Sequence, residues 1–230
     1  MVSGEQEFVR SPLSDPRDTM RNVPSQNRSL DRIDAILDAA ASLVDAGGME
    51  SVNVTAVAFT SGSSVGAVYR YFPNMNALLY SLAQRNLQRL LLRVEEGSRT
   101  TSAEPWSSLD HTFDAYINMY RSEPGFRHLR FGEAISDRLI GHAESTNKAI
   151  ARQFAGMIAE THGVEITDHM LFHLEVAATT FMALADQAFR DNPEGDPAIL
   201  SYAKLLVRNQ MLQEIPIHSR APEIRTSPPS

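Results

Sequence analysis

"NVTAVAFTSGSSVGAVYRYF", Asn53 to Phe72, decides how the chain is read. Small and apolar residues fall into two short groups, separated by Ser61, Gly62, Ser63 and Ser64. Thr55 can cap a helix before the break, and Ser63 or Ser64 can cap one after it. Gly62 supplies the break, because glycine takes positive φ at little steric cost. The stretch therefore predicts two helices of about two turns, the second from Val65 to Tyr71, joined by a tight turn. Upstream, Ser29 is a plausible N-cap, and Ile33, Ile36, Leu37, Ala40, Leu43 and Val44 repeat at the spacing of an amphipathic helix that Gly47 and Gly48 stop. A longer helix followed by two short ones around a glycine turn is the outline of a helix-turn-helix.

Working outward, a long helix is expected from Asn74 to about Glu96, with Leu78, Leu79, Leu82, Leu87, Leu90, Leu91 and Val94 apolar. It is longer than a small domain needs and should continue into the next one. Gly97 to Pro105 reads as a loop. Beyond it no strand is convincing: helices are expected from Pro105 to about Arg121, from Pro124 to Phe131, from about Ser136 to Thr161, from a cap at Thr167 or Asp168 to about Asp191, and from Asp196–Pro197 to near Ile215. The expected fold is all-α, an N-terminal three-helix helix-turn-helix domain followed by a C-terminal helical domain. Residues 1–28 read as a flexible arm, 29–75 as the helix-turn-helix domain with its motif at about 53–72, 76–96 as a connecting helix, 97–215 as the second domain and 216–230 as a disordered tail.

Composition narrows the function. A hydrophobic fraction of 43% over 230 residues is enough for a substantial core, and a net charge of -7 excludes a protein that coats nucleic acid through bulk positive charge. With no cysteine there is no disulfide framework, thiolate metal site or thiol nucleophile. Glu5 and Glu7 stand where a secretory leader would be basic, and the longest nearly apolar run, Val176 to Ala185, is about half of the ~20 residues that cross a bilayer; a cytoplasmic protein without membrane spans is expected. There is no nucleophile signature, phosphate-cradling glycine loop or paired-carboxylate motif, so neither an enzyme nor a cofactor is expected. His169 and His173 lie one helical turn apart, but no third ligand stands at a suitable spacing, and no metal is expected.

Read as one unit, Asn53 to Leu79 resembles the N-terminal helix-turn-helix of the tetracycline-repressor (TetR) family. The matching residues are Thr55, Val57, Ala58, Gly62, Ser64, Gly66, Tyr69, Tyr71, Phe72, Leu78 and Leu79, in order and without gaps. The resemblance implies a homodimeric regulator that binds a palindromic operator in double-stranded DNA, most simply a repressor released by a small molecule. Val57, Ala58, Val68 and Phe72 should form core. Thr55, Ser63, Ser64, Val65, Gly66, Ala67, Tyr69, Arg70, Tyr71 and Asn74 are the expected DNA surface: small residues let a helix enter a major groove ~12 Å wide, and hydroxyls, amide and guanidinium supply donors. Two features depart from the family pattern. Met75 stands where a lysine is frequent, and residues 29–96 carry five arginines against seven acidic residues. A DNA contact built on so few charges should have a shallow salt dependence.

For the second domain the resemblance implies a ligand cavity and dimerisation through the last two long helices. The expected cavity wall is Phe113, Tyr116 and Tyr120 at helical spacing, with Phe126, Phe131, Phe154, Met157, His173 and Val176. Aromatic rings and methionine suit an apolar or aromatic effector. The alternative reading is a small-molecule-binding or interaction module of the same fold with weakened or lost operator binding.

Overall fold

The computed structural model describes residues 27–99, 107–129 and 146–215, and these are helical and irregular, with no strand among them. Helix α1 is Asn27–Gly47, α2 Val54–Thr60, α3 Val65–Tyr71, α4 Met75–Arg99, α5 Ser107–Ser122, α6 Thr146–His162, α7 Asp168–Phe189 and α8 Pro197–Glu214, with a 3-10 turn at Met49–Ser51 after α1. The expected all-α architecture is what the chain adopts.

Two apolar cores share α4. The first gathers Ile36, Leu37, Ala40 and Val44 of α1 with Val57, Ala58, Val68, Phe72 and the first turns of α4, Leu78 and Leu82. The second joins Leu90 and Val94, further along α4, to the apolar faces of α5 through α8. The single uninterrupted α4 therefore belongs to both, as its length implied. Ion pairs fix its middle: Arg85 donates to Asp38 of α1 at 2.8 Å, and Arg89 and Arg93 both reach the buried carboxylate of Glu123.

Several boundaries differ from the sequence expectation. Helix α1 begins at Asn27, ahead of Ser29, so its first turn takes up the end of the stretch read as an arm. Asn53, not Thr55, caps α2: its backbone is extended and its side chain accepts the Ala56 N–H at 2.9 Å. Helix α4 runs on to Arg99. The helix expected from Pro124 is instead a series of turns over 123–129, in which Gly125 has φ +73°. The expected starts at Pro105 and Ser136, and Phe131, lie outside the described residues. Thr167 is the cap of α7, and Asp196 caps α8 by accepting the Ala198 and Ile199 N–H groups, with Pro197 in the first turn.

Candidate functional site

Helices α2 and α3 meet at Gly62, whose φ of 64° is open to glycine and strained for other residues. The Gly62 and Ser63 N–H groups donate back to the Phe59 and Ala58 carbonyls at 3.2 and 2.9 Å, which closes α2. Ser64 then opens α3 by accepting the Ala67 N–H on its hydroxyl at 3.1 Å, and its own O–H hydrogen is left to donate elsewhere. The seven residues of α3 divide by face. Val68, Tyr71 and the following Phe72 are buried, whereas Ser64, Val65, Gly66, Tyr69 and Arg70 are exposed and Ser63 and Ala67 are half-buried. Thr55 on α2 and Asn74 before α4 are also exposed. Asn74 caps α4 by accepting the Ala77 N–H at 2.8 Å, which leaves its amide NH2 as a donor.

Tyr71 is a correction to the expected DNA surface. It is 3% exposed, because it stands three residues after Val68 and so on the inward face. Its role is to hold Arg70: the Arg70 guanidinium donates to the Tyr71 hydroxyl at 2.5 Å and lies 4.8 Å from its ring centroid. Burial pushes the Tyr71 hydroxyl pKa up. Hydrogen bonds from Arg70 and Ser29 and the charges of Arg70 and Arg32 outweigh that and bring it below the usual value. Ser29 and Arg32, at the start of α1, thus belong to the same corner as α3, although sequence reasoning did not place them there. Arg32 is exposed one helical turn before the buried Ile36, at the edge of the inward face of α1, and no pattern local to α1 records that it meets α3.

The second core encloses a cavity between α4, α5, α6 and α7, touched also by Val207 of α8. Phe113, Tyr116 and Phe154 line it as expected, together with Leu90, Thr112, Gln153 and Phe181. The void, mouth included, is about 620 Å³. Tyr120, Phe126 and Met157 are buried in the same core but outside the cavity wall. Tyr120 stacks on Phe189, meets Phe126 edge-on and donates its hydroxyl to the Asp186 carboxylate. Burial raises the Asp186 pKa, with Arg190 opposing, and burial followed by the Asp186 charge puts the Tyr116 hydroxyl well above its usual value. His173 and Val176 are not in the cavity: Val176 is 37% exposed on the outer side of α7, and His173 faces Glu214 of α8.

Residues 36–82 match the description "Bacterial regulatory proteins, tetR family", and residues 103–215 match "Tetracyclin repressor-like, C-terminal domain". A solved TetR-family transcriptional regulator from Streptomyces coelicolor is 30% identical, with a TM-score of 0.69 over 80% of this chain and 99% of that one. The chain belongs to the tetracycline-repressor family.

Among curated relatives, the HTH-type transcriptional repressor KstR of Mycobacterium tuberculosis is 35% identical over 116 residues, 48% of this chain and 52% of that protein. The KstR of Rhodococcus jostii is 41% identical over 66 residues, 29% of this chain and 31% of that protein. The chain thus spans about half, or less, of the curated relatives it matches. These relatives are regulators rather than enzymes, and among the described residues no helix is long and apolar enough to cross a membrane. In tetracycline-repressor terms, α2 and α3 are the helix-turn-helix and the cavity lies in the C-terminal domain. This family member also leaves Phe172, Val176, Tyr202, Leu205, Leu206 and Leu212 exposed on α7 and α8, two helices that pack on each other.

Proposed function

We propose that the chain is a transcriptional repressor that binds a palindromic operator as a homodimer and leaves it when a small, mostly apolar molecule enters the cavity. The observation that carries this reading is the division of α3: core residues on one side, and Ser64, Val65, Gly66, Tyr69 and Arg70 outward on the other. Two copies of such a helix, held about one DNA turn apart, fit successive major grooves. The exposed apolar side chains of α7 and α8 are the surface this reading gives to a second copy, since several large apolar groups left exposed on paired helices favour an interaction site there. The domain division at residues 29–75, 76–96 and 97–215 follows from the same reading.

The route from cavity to DNA runs through α5. Phe113 and Tyr116 of α5 line the cavity, and α5 leads into the 123–129 turns. There Glu123 is paired with Arg89 and Arg93 of α4, the Gly125 N–H donates to Asp45 of α1 at 3.1 Å, and Leu129 is buried in the first core. A ligand that parts the cavity wall displaces α5, and the displaced turns shift α1 and α4 beneath α3. Coupling of ~1–3 kcal/mol through this path weakens operator binding by about 5- to 150-fold.

Binding of the full chain to DNA flanking its own gene, followed by fluorescence anisotropy against unrelated DNA, tests the reading. Specific binding at low salt is expected, with Arg32 and Arg70 of each protomer giving a shallow slope of about -3 to -4 in log K against log salt. Failure to prefer any flanking segment, with the dimer intact, would overturn the repressor reading in favour of a ligand-binding module without an operator.

A further inference from the structure

We propose that His169, His173 and Glu214 form a binding site for a divalent transition metal, zinc by its donor chemistry. Sequence spacing offers two imidazoles one turn apart on α7, and the fold brings the third donor to them from the last turn of α8. The Glu214 Oε2 lies 3.4 Å from His173 Nε2 and 3.8 Å from His169 Nε2, and one donor atom from each of the three residues lies within 4.8 Å of the others. Zinc at ~2.0–2.1 Å from imidazole nitrogen and ~2.0–2.2 Å from carboxylate oxygen requires tetrahedral edges of about 3.3–3.5 Å. The His173–Glu214 separation already has that length. His169 is exposed, and a side-chain rotation is needed to bring it to the same edge length from Glu214, now 3.8 Å away, and from His173, which lies within 4.8 Å.

Helix stability does not account for the arrangement. Both histidines are in the first two turns of α7, where the positive end of the helix opposes a protonated imidazole. Glu214 is in the last turn of α8, where the negative end opposes a carboxylate. The nearby start of α7 compensates the carboxylate but not the two imidazoles.

The donor set is two nitrogens and one oxygen without thiolate. It favours zinc and its first-row neighbours over calcium or magnesium, which take oxygen ligands. Three protein ligands with an exposed edge leave the fourth position to water. The Nδ1 of His173 is buried with no hydrogen-bond partner, so this ligand lacks the outer brace that usually strengthens such sites by about 10- to 100-fold. The metal would clasp the start of α7 to the end of α8. The inference stands apart from the operator reading, because it rests on residues that belong neither to α3 nor to the cavity lining.

The test is titration of the untagged, chelator-stripped full chain with zinc chloride by calorimetry, and with cobalt(II) by visible absorption. One metal per chain is expected, with the intense absorption of a four-coordinate cobalt site and a zinc-dependent rise in melting temperature. His169→Ala and Glu214→Gln, both at positions with solvent access, should each weaken zinc binding at least tenfold while the apo protein melts as before. His128→Ala, an exposed histidine elsewhere, should bind as the unaltered chain does. Absence of saturable binding at one metal per chain, or zinc affinity untouched by both His169→Ala and Glu214→Gln, overturns the assignment.

Discussion

Replacing Gly125 with alanine tests how the two cores are joined. Two costs combine at this residue. Its φ of +73° lies where an L-residue pays ~1–2 kcal/mol. A Cβ built there would stand 2.9 Å from the Ala41 carbonyl oxygen and 3.3 Å from two Val44 carbons, atoms of α1 that cannot swing away. Relief requires the turns to lift from α1, which loses the Gly125 N–H bond to Asp45, worth ~0.5–1.5 kcal/mol, and loosens the seat of Leu129. Together these give about 2–4 kcal/mol. For a chain of this size each kcal/mol moves the melting temperature by ~2–4 °C, so a fall of about 4–16 °C is expected by calorimetry. Gly62→Ala is the internal control: its φ is 64°, but a Cβ there meets nothing within 4 Å, so it should show the backbone cost alone. Effector-induced release from DNA should also weaken in Gly125→Ala and survive in Gly62→Ala. If Gly125→Ala melts within a degree of Gly62→Ala, the crowding against α1 contributes nothing and the proposed coupling path is wrong.

Gly66 offers the opposite separation of stability from function. It is helical, exposed and has open space around a Cβ, so Gly66→Ala should stabilise the fold by about 0.5–1 kcal/mol in urea unfolding while weakening operator binding through bulk at the groove. Stronger DNA binding in that variant would argue against α3 as the groove-facing helix. Tyr71→Phe keeps the ring but removes the hydroxyl that receives Arg70, and DNA affinity measured by anisotropy should fall several-fold, less than for Arg70→Ala; equal affinity to the unaltered chain would show that the brace is idle. Asp186 has a folded pKa above its unfolded value of ~3.9, so the folded state binds the extra proton and stability declines as pH rises from about 4 through the folded pKa. Asp186→Asn should flatten that decline and leave stability at pH 7 equal or higher, as followed by urea unfolding across pH; an unchanged slope would remove Asp186 as its source.

The helix-turn-helix was legible because its signals are local. Gly62 and Ser64 act within four residues of themselves, and the apolar period of α1 and α4 names their buried faces directly. Thr55 and Asn53 are both good caps, and only the extended backbone at Asn53 separates them. The placement of Tyr71 was legible and misread: Tyr69 and Tyr71 are about 200° apart on a helix, so both cannot face one groove, and the 3, 4 spacing of Val68, Tyr71 and Phe72 marks the inward side. Pro124 suggested a helix start, but the positive φ of Gly125 comes from contact with α1, which no local pattern records. In the cavity, sequence showed the aromatic face of α5 but not its depth. Phe113 and Tyr116 border the void, while Tyr120, one further turn along, is claimed by Asp186 and Phe189. Glu214 could not be paired with His169 and His173 from spacing, because the antiparallel packing of α7 and α8 creates that proximity.

The burial of Leu129 among the side chains of α1 to α4 has a consequence for how such proteins recombine. A fragment ending with α4 would carry the whole reading head yet lack one residue of its own interior, and would open a leucine-sized gap there. Chimeras that graft this head onto another regulator's sensor should therefore keep the 123–129 turns with it rather than be cut directly after α4. The modular boundary for gene fusion is thus displaced into the sensor half.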